Sequence, residues 1–197
     1  MKFKVLILDL DGTLVTLPIK WDELREKVRR LLKTDHPLKP LAPSIPKAAK
    51  GRADLIRKAF RIIEKAELEA SNNAKFDEEL FNFLRWVKNK GMKVGLVTLQ
   101  GEKPARKTLK RLGVLNFFDL IVTRESSLIR REQLMMSIRK FRVDPKEVIF
   151  VGDSYSDVKA GKELGLLTVV VGRQVSFELE GDLKLNRVTE LRKYLER

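Results

Sequence analysis

Cysteine and long apolar runs are both missing from this sequence, and each absence excludes a class of protein. Because none of the 197 residues is cysteine, the chain cannot form disulfides, thiolate metal sites or a catalytic thiol. No run approaches the roughly 18 apolar residues that a membrane-spanning helix needs. We therefore expect a soluble protein with no membrane partner. The lack of cysteine fits a reducing compartment, and we expect the cytoplasm.

The N-terminal segment MKFKVLILDLDG resembles a signal peptide only superficially. Its apolar run is short and ends in acidic residues, where a signal peptide would have small ones. The same run is typical of a buried β-strand. The hydrophobic fraction of the whole chain is 43%, which is ordinary for a globular protein.

The formal net charge of +14 leaves two interpretations open. A basic chain favours anionic partners, either phosphorylated metabolites or nucleic acid. A heavily charged, solvated surface would give the same excess without any such partner. The basic residues are spread along the chain, and no basic cluster with interleaved aromatic residues occurs. The sequence therefore gives nucleic acid no specific support.

Apolar segments alternate with helical patterns from about residue 72 to the end, which predicts an α/β fold. We expect a Rossmann-like, mostly parallel sheet flanked by helices. The predicted strands are 3–8, 93–98, 118–122, 148–152, 167–171 and a short sixth at 183–185. The predicted helices between and after them are 77–90, 103–113, 130–142, 156–165 and 188–195.

Residues 17–71 interrupt this alternation just after the first strand. They read as two helices, 21–33 and 52–71, joined by HPLKPLAPSIP, whose prolines predict a loop. We therefore expect an α/β core domain of residues 1–16 and 72–197, with a small all-helical cap domain of residues 17–71. The segment has 14 basic and 8 acidic residues, as a lid over an anionic substrate could have. Solvent exposure of a small helical module would give the same bias.

The first predicted strand ends in DLDGT, residues 9–13. Ligands bind at the carboxyl edge of open α/β sheets, so Asp9 and Asp11 are placed where chemistry occurs. Gly12 allows a tight turn and a close approach of the backbone to an anion. A polar turn without chemistry is one alternative. A calcium loop is another, although its glycine should be sixth and here it is fourth.

A second acidic motif, VGDSYSD, follows the predicted strand at 148–152. If that strand lies beside the first, Asp153 meets Asp9 at the same edge. Carboxylates and waters make an oxygen-rich site that suits Mg²⁺, and a cation would relieve the repulsion between the acids. Asp157 would then support the ion at longer range or through a water. The alternative is that these residues only cap the helix that follows.

A third polar strand end is Thr98, followed by Leu99, Gln100 and Gly101. A hydroxyl there can donate to a phosphate oxygen, although threonine is common in strands and proves little alone. Thr98 is significant because of its position, since all three polar strand ends follow apolar strands at one predicted edge of the sheet.

In these motifs the chain resembles, end to end, the small phosphatases of the haloacid dehalogenase-like hydrolase superfamily, which carry a cap after the first strand. The resemblance implies a Mg²⁺-dependent phosphatase that acts on a small phosphorylated metabolite through an aspartyl-phosphate. It implies Asp9 as the nucleophile and Asp11 as the general acid and then base. It also implies that Mg²⁺ is held by the Asp9 carboxylate, the Asp11 backbone carbonyl and Asp153. The expected phosphate-contacting residues are Gly12, Thr13, Thr98 and Leu99.

One departure from the family pattern concerns a lysine. These phosphatases usually place Lys, often Lys-Pro, ahead of the last motif, whereas residues 127–133 here read SLIRREQ. We expect Arg130 to supply the missing positive charge, with Arg131 and Lys103 as alternatives. Both arginines could instead only solvate the start of a helix.

Several rival functions stay open from sequence alone. A phosphotransferase or phosphomutase shares the first half-reaction, and a non-catalytic phospho-receiver or scaffold would tolerate the missing lysine. A dehalogenase would have no need of an acid at Asp11. Trp21, Lys20 and Arg57 are candidates to reach the site from the cap. The substrate and the oligomeric state are not determined by the sequence.

Overall fold

The computed structural model describes residues 3–172 and 181–196, and at its centre lies a parallel sheet. Within these residues the sheet has six strands in the order β3-β2-β1-β4-β5-β6, and every neighbouring pair is parallel. The predicted Rossmann-like α/β fold is confirmed. The strands are β1 Val5–Leu8, β2 Lys93–Val97, β3 Leu120–Val122, β4 Val148–Gly152, β5 Leu167–Val171 and β6 Leu183–Leu185.

Helices cover both faces of the sheet, which explains why its central strands are apolar throughout. Successive side chains of a strand point to opposite faces. In β1, Leu6 and Leu8 accordingly pack in one apolar cluster, while Val5 and Ile7 pack in the cluster on the other side. All four side chains are fully buried. Strand β1 is thus held firmly in the middle of the fold, next to β2 and β4.

The helices follow the predicted alternation, with one exception described below. Among the described residues, no helix is both long and apolar enough to cross a membrane. The α-helices are α1 Trp21–Leu32, α2 Leu41–Ala48, α3 Ala53–Ser71, α4 Glu78–Asn89, α5 Glu102–Arg111, α6 Arg130–Phe141, α7 Tyr155–Glu163 and α8 Arg192–Leu195. Short 3₁₀ helices lie at Leu115–Phe117, Pro145–Glu147 and Val188–Leu191.

Helices α1 to α3 pack around an apolar cluster of their own. Its buried members include Leu24 and Val28 of α1, Ile45 of α2 and Ile63 of α3. This cluster is separate from the two that cover the sheet. Such a separate core is what a cap needs in order to fold as a unit, although the division of the chain into two domains stays a prediction.

The prediction of a loop between the two long helices of this segment is wrong. Helix α2 begins directly after Pro40 and contains Pro43 and Pro46. The first N–H groups of any helix lack an internal partner, so Pro43 in the first turn removes no hydrogen bond. Pro46 does interrupt the helix, but the apolar face of α2 is buried against α1 and α3. Tertiary packing therefore overrides the cost of the proline.

Candidate active site

The polar strand ends predicted from the sequence meet at one edge of the sheet. Leu8 is in register with Leu96 of β2 and with Val151 of β4, so the residues that follow these strands emerge side by side. They line a partly open cavity of about 350 Å³ between the sheet edge and helices α1 to α3. The predicted site residues that line it are Asp9, Asp11, Thr98, Leu99, Arg130 and Asp153.

Asp9 lies buried directly after β1 and is paired with a buried arginine. Nη2 of Arg130 donates to Oδ1 of Asp9 at 2.7 Å. Burial raises the pKa of Asp9 well above its ordinary value, the Arg130 charge opposes that rise, and the charges of Asp157 and Asp153 add to it. Arg130 is therefore the neighbour that favours the ionised form of Asp9.

Three carboxylates gather at this edge in an arrangement that fits a metal ion. Asp9, Asp153 and Asp157 each offer one oxygen, and these oxygens lie within 4.8 Å of one another. Burial and then the charges of Asp157 and Asp11 raise the pKa of Asp153 to about 7. Oδ1 of Asp157 is buried and lies 2.7 Å from Nε of Arg130, an ion-pair contact without the alignment of a hydrogen bond. A hard, oxygen-only donor set of three carboxylates around one guanidinium suits Mg²⁺.

Gly12 allows Asp153 to approach the loop that follows β1. Its φ of +88° lies in the left-handed region that favours glycine. A Cβ at this position would lie 1.9 Å from Oδ2 of Asp153. Any other residue would be strained in this backbone conformation and would displace the Asp153 carboxylate. Thr13, predicted to contact phosphate, lines a neighbouring cavity instead, together with Gly12.

Asp11 lines the cavity but its carboxylate is not part of the three-carboxylate cluster. Its Oδ1 accepts the backbone N–H of Leu17 at 2.8 Å, which draws the side chain toward the chain that leads into α1. Burial raises the pKa of Asp11 to about 6, against the lowering effect of the Leu17 and Gly12 N–H groups. A carboxyl with such a pKa can both give and take a proton near neutral pH.

Arg130 is the one candidate cation of the three that lies in the cavity. Its Nη1 donates to Oε1 of Gln133 at 3.0 Å, and Nε2 of Gln133 donates to the Thr98 carbonyl at 2.8 Å. Arg131 instead points to the surface, 3.6 Å from Glu163, and Lys103 is exposed outside the cavity. No sequence pattern identifies Gln133, because a polar residue in a helix is ordinary.

The loop after β2 contributes Thr98, Leu99 and Gln100 to the cavity. The Thr98 hydroxyl is buried and accepts the backbone N–H of Gln100 at 3.1 Å. Both amide atoms of the Gln100 side chain are buried without a hydrogen-bond partner among the described residues. Buried polar groups normally have partners, so this amide is available to a ligand or a water.

Helices α1 to α3 form the remaining wall of the cavity. Its residues are mostly apolar, with two charged exceptions, and they are Trp21, Arg25, Pro40, Leu41, Ala42, Pro43, Ile63 and Glu67. Of the residues proposed to reach the site from this segment, Trp21 does line the cavity, while Lys20 and Arg57 do not. Arg25 was missed. It lies one turn after Trp21, on the same helix face, and that spacing could have identified it.

A second buried ion pair connects α3 to the loops at this edge. Nη1 of Arg124 contacts Oε1 and Oε2 of Glu67 at 2.6 and 2.8 Å, and the Gly101 N–H donates to Oε2 at 3.2 Å. Burial raises the pKa of Glu67 to about 7, with Arg124 opposing. The guanidinium also lies over the ring of Phe60. The two partners are 57 positions apart, and no sequence pattern predicts their pairing.

A parallel sheet with ionisable groups at its carboxyl edge, enclosed by a helical insertion, is an enzyme architecture. Residues 6–171 match the family model for haloacid dehalogenase-like hydrolases, and the chain belongs to that family. The resemblance inferred from the acidic motifs is confirmed. The chain is a hydrolase of the phosphatase type.

Individual relatives agree with this assignment. A pyrophosphatase PpaX from Bacillus velezensis is 31% identical over 136 residues, which is 62% of this chain and 63% of that protein, less than two thirds of its length. A pyrophosphatase PpaX from Anoxybacillus flavithermus is 24% identical over an alignment covering 97% of this chain and 96% of that protein. A haloacid dehalogenase-like hydrolase from Streptococcus pneumoniae has a similar fold, with a TM-score of 0.72, 17% identity and coverage of 98% and 99%.

Proposed function

We propose that this phosphatase is Mg²⁺-dependent, acts in the cytoplasm on a small phosphorylated metabolite, and transfers the phosphoryl group first to Asp9 and then to water. The contact between Asp9 and Arg130 on the floor of a partly open cavity is the observation that supports the proposal most directly. The pyrophosphatase names of the relatives are consistent with a phosphorylated substrate.

The first obstacle for such an enzyme is electrostatic. A carboxylate that approaches a phosphate dianion is repelled, by about 4 kcal/mol for two unit charges about 4 Å apart at an effective dielectric near 20. The guanidinium of Arg130, already bonded to Asp9, offsets this repulsion and can donate to a phosphoryl oxygen. The Thr98 hydroxyl and the backbone N–H of Leu99 supply further donors, whereas the N–H groups of Gln100 and Gly101 are bonded within the protein.

Residues at this edge fit the metal ion that the family resemblance implies. Asp9 and Asp153 would hold Mg²⁺ together with the Asp11 backbone carbonyl, and Asp157 lies within reach of the same position. When bound, the ion would neutralise charge on the nucleophile and on the phosphoryl oxygens.

Asp11 serves both halves of the reaction. In the first, an oxygen of Asp9 bonds to phosphorus, the bond from phosphorus to the leaving oxygen breaks, and Asp11 gives that oxygen a proton. In the second, the Asp11 carboxylate takes a proton from water as the water attacks phosphorus, which releases phosphate and restores Asp9. The Leu17 N–H holds the Asp11 side chain in one orientation throughout.

The helical segment of residues 17–71 acts as a cap in this proposal. Its wall of apolar side chains lowers the local dielectric and excludes water, which strengthens the charge interactions on the cavity floor. Substrate groups beyond the phosphoryl group would contact this wall, so it would select the substrate.

The decisive experiment measures phosphate release from p-nitrophenyl phosphate with Mg²⁺ and after chelation. We expect Mg²⁺-dependent turnover that falls at least about 1,000-fold in Asp9→Asn, because the nucleophile is lost. Asp35→Asn, an exposed aspartate outside the cavity, is the matched control and should behave as the parent. Substantial turnover by Asp9→Asn would refute the nucleophile assignment.

Two further outcomes separate the rival functions. Transfer of the phosphoryl group to a second sugar, in place of release into water, would identify a phosphotransferase or phosphomutase. Stable phosphorylation of Asp9 by acetyl phosphate without any turnover would identify a phospho-receiver.

A further inference from the structure

Arg25 on α1 is a cation of the cavity wall whose hydrogen-bonding capacity is largely unused. Its side chain is 20% exposed, and its described partner is Asp22, at 3.0 Å. The Asp22 side chain is 92% exposed, so this i,i+3 pair is a weak surface ion pair. A guanidinium has five donor N–H groups. Most of those of Arg25 are therefore available to a ligand in the cavity.

The apolar surroundings of Arg25 would strengthen such a contact with a ligand. The nearby cavity wall is formed by apolar side chains, among them Trp21, Leu41 and Ile63. Charge-assisted hydrogen bonds are stronger where water is excluded. A cation with few partners in such a wall is matched best by an anion.

The charges on the cavity floor are arranged differently. There Arg130 already contacts Asp9 and lies 2.7 Å from Asp157. The phosphoryl group of a substrate binds at that floor, so Arg25, on the helical wall, meets the part of the substrate beyond the phosphoryl group. The two arginines therefore address different ends of one molecule.

We propose that Arg25 is a specificity residue that binds a second anionic group of the substrate. The preferred substrates are then small phosphorylated compounds that also carry a carboxylate or a second phosphate, and neutral phosphorylated alcohols are poor substrates. This inference rests on the proposed phosphatase function, since the first anionic group is the phosphoryl group that Asp9 attacks.

Matched substrate pairs test this directly. Phosphoglycolate and ethyl phosphate are similar in size and differ in the carboxylate, while propanediol bisphosphate and propyl phosphate differ in the second phosphate. We expect the parent to prefer the anionic member of at least one pair, and the responding pair identifies the second group. In Arg25→Gln, kcat/KM for that member should fall about 10- to 100-fold, with little change for its neutral partner. Arg25→Lys should retain part of the preference.

Arg29→Gln is the control, because Arg29 forms the same i,i+3 pair on the same helix, with Glu26, but does not line the cavity. This variant should keep the parental preference. Equal losses for both members of each pair in Arg25→Gln, or no loss for either, would overturn the inference.

Binding separates this inference from the proposed function. The same four compounds are titrated by calorimetry into Asp9→Asn protein, with and without Arg25→Gln. If the parent releases no phosphate from any compound, the phosphatase proposal fails, and an Arg25-dependent preference in binding still supports the inference. If the parent hydrolyses phosphate esters but neither turnover nor binding prefers an anionic member, the inference fails alone.

Discussion

Two buried arginines at the same edge of the sheet differ in how well their charges are matched. Arg124 is hydrogen-bonded to the Glu67 carboxylate, to which the Gly101 N–H also donates, and a second carboxylate, Glu125, lies 4.0 Å away. Arg130 lies among several carboxylates, bonded to Asp9 and 2.7 Å from Asp157 without the alignment of a hydrogen bond. One pair is satisfied within the protein. The other cluster has three carboxylates around one guanidinium, and so an excess of negative charge.

This difference distinguishes a structural ion pair from a binding site. A fully bonded buried pair fixes the relative positions of the elements that contribute to it, here α3 and the loops after β2 and β3. A buried cluster with unmatched charge is costly for the protein alone and becomes favourable only when a ligand completes it. We therefore propose that substrate and cation bind at the Arg130 cluster.

After loss of the Asp9 nucleophile, the largest expected effect comes from removing the positive charge of the Arg130 cluster. Arg130→Met should lower kcat about 100- to 1,000-fold at saturating Mg²⁺, because the phosphoryl charge then has no guanidinium to offset it. Arg130→Lys should lose much less, since a lysine is the usual residue of the family there. Phosphate release from p-nitrophenyl phosphate measures both.

Arg131→Met is the matched control for that experiment. Arg131 is the next residue, faces the surface and lies 3.6 Å from Glu163. Its substitution should leave kcat unchanged. If kcat fell equally in Arg131→Met and Arg130→Met, the position of Arg130 in the cavity would not be the reason for its effect.

Changes to the buried pair of Glu67 and Arg124 should alter the free energy of unfolding. At pH 8, where Glu67 is ionised, Glu67→Met leaves the Arg124 guanidinium buried without its hydrogen-bonded carboxylate, and we expect the free energy of unfolding to fall by about 3 to 5 kcal/mol. The double variant Glu67→Met/Arg124→Met should recover most of that loss, because no buried charge is left unpaired. Urea unfolding followed by circular dichroism measures the differences.

A surface ion pair provides the control for this stability experiment. Glu102 pairs with Arg106 on the exposed face of α5 at 2.8 Å. Glu102→Met should cost less than about 1 kcal/mol, as exposed pairs contribute little. Equal costs for Glu67→Met and Glu102→Met would contradict the structural role of the buried pair.

The Arg130 cluster and the Glu67–Arg124 pair were not equally predictable from the sequence. Asp9, Asp11 and Asp153 were found because each directly follows an apolar strand, and parallel strands bring their carboxyl ends together. Arg130 was expected because the family places a cation near that point of the chain. These features are local in the sequence, and the parallel sheet brings them together at one edge.

Features that depend on packing between distant segments could not be predicted from local sequence patterns. Glu67 lies on a helix and Arg124 in a loop, and nothing local distinguishes either from a surface charge. Helix α2 was missed because its prolines predict a loop, whereas burial of its apolar face against α1 and α3 decides the outcome. Such outcomes follow from tertiary contacts that a single sequence does not display.

The free energy of unfolding that Glu67 contributes should depend on pH with a definite sign. Burial raises the pKa of Glu67 from 4.5 to about 7, so between these values the folded protein holds a proton that the unfolded chain releases. This contribution to stability is full below pH 4.5 and is lost as the pH rises through about 7. Glu67→Gln has no such proton. Its free energy of unfolding relative to the parent should therefore rise by about 3 kcal/mol from pH 4.5 to pH 8.

The measurement compares urea unfolding of the parent and Glu67→Gln across that range. Glu102→Gln, in the exposed pair, should show no comparable trend. A difference that moves in the opposite direction would mean that Arg124 dominates over burial and that Glu67 is ionised throughout.

Gln100 provides the smallest test, because its side-chain amide has no hydrogen-bond partner among the described residues. Its amide lines the cavity and is 4% exposed, so the protein bears the cost of burying it. Gln100→Met replaces it with an apolar side chain of similar size and should raise the free energy of unfolding by about 1 kcal/mol. If the amide binds substrate, KM should rise in the same variant. A loss of stability would instead show that the amide is already bonded, through water, and belongs with Glu67 and Arg124 among the satisfied groups.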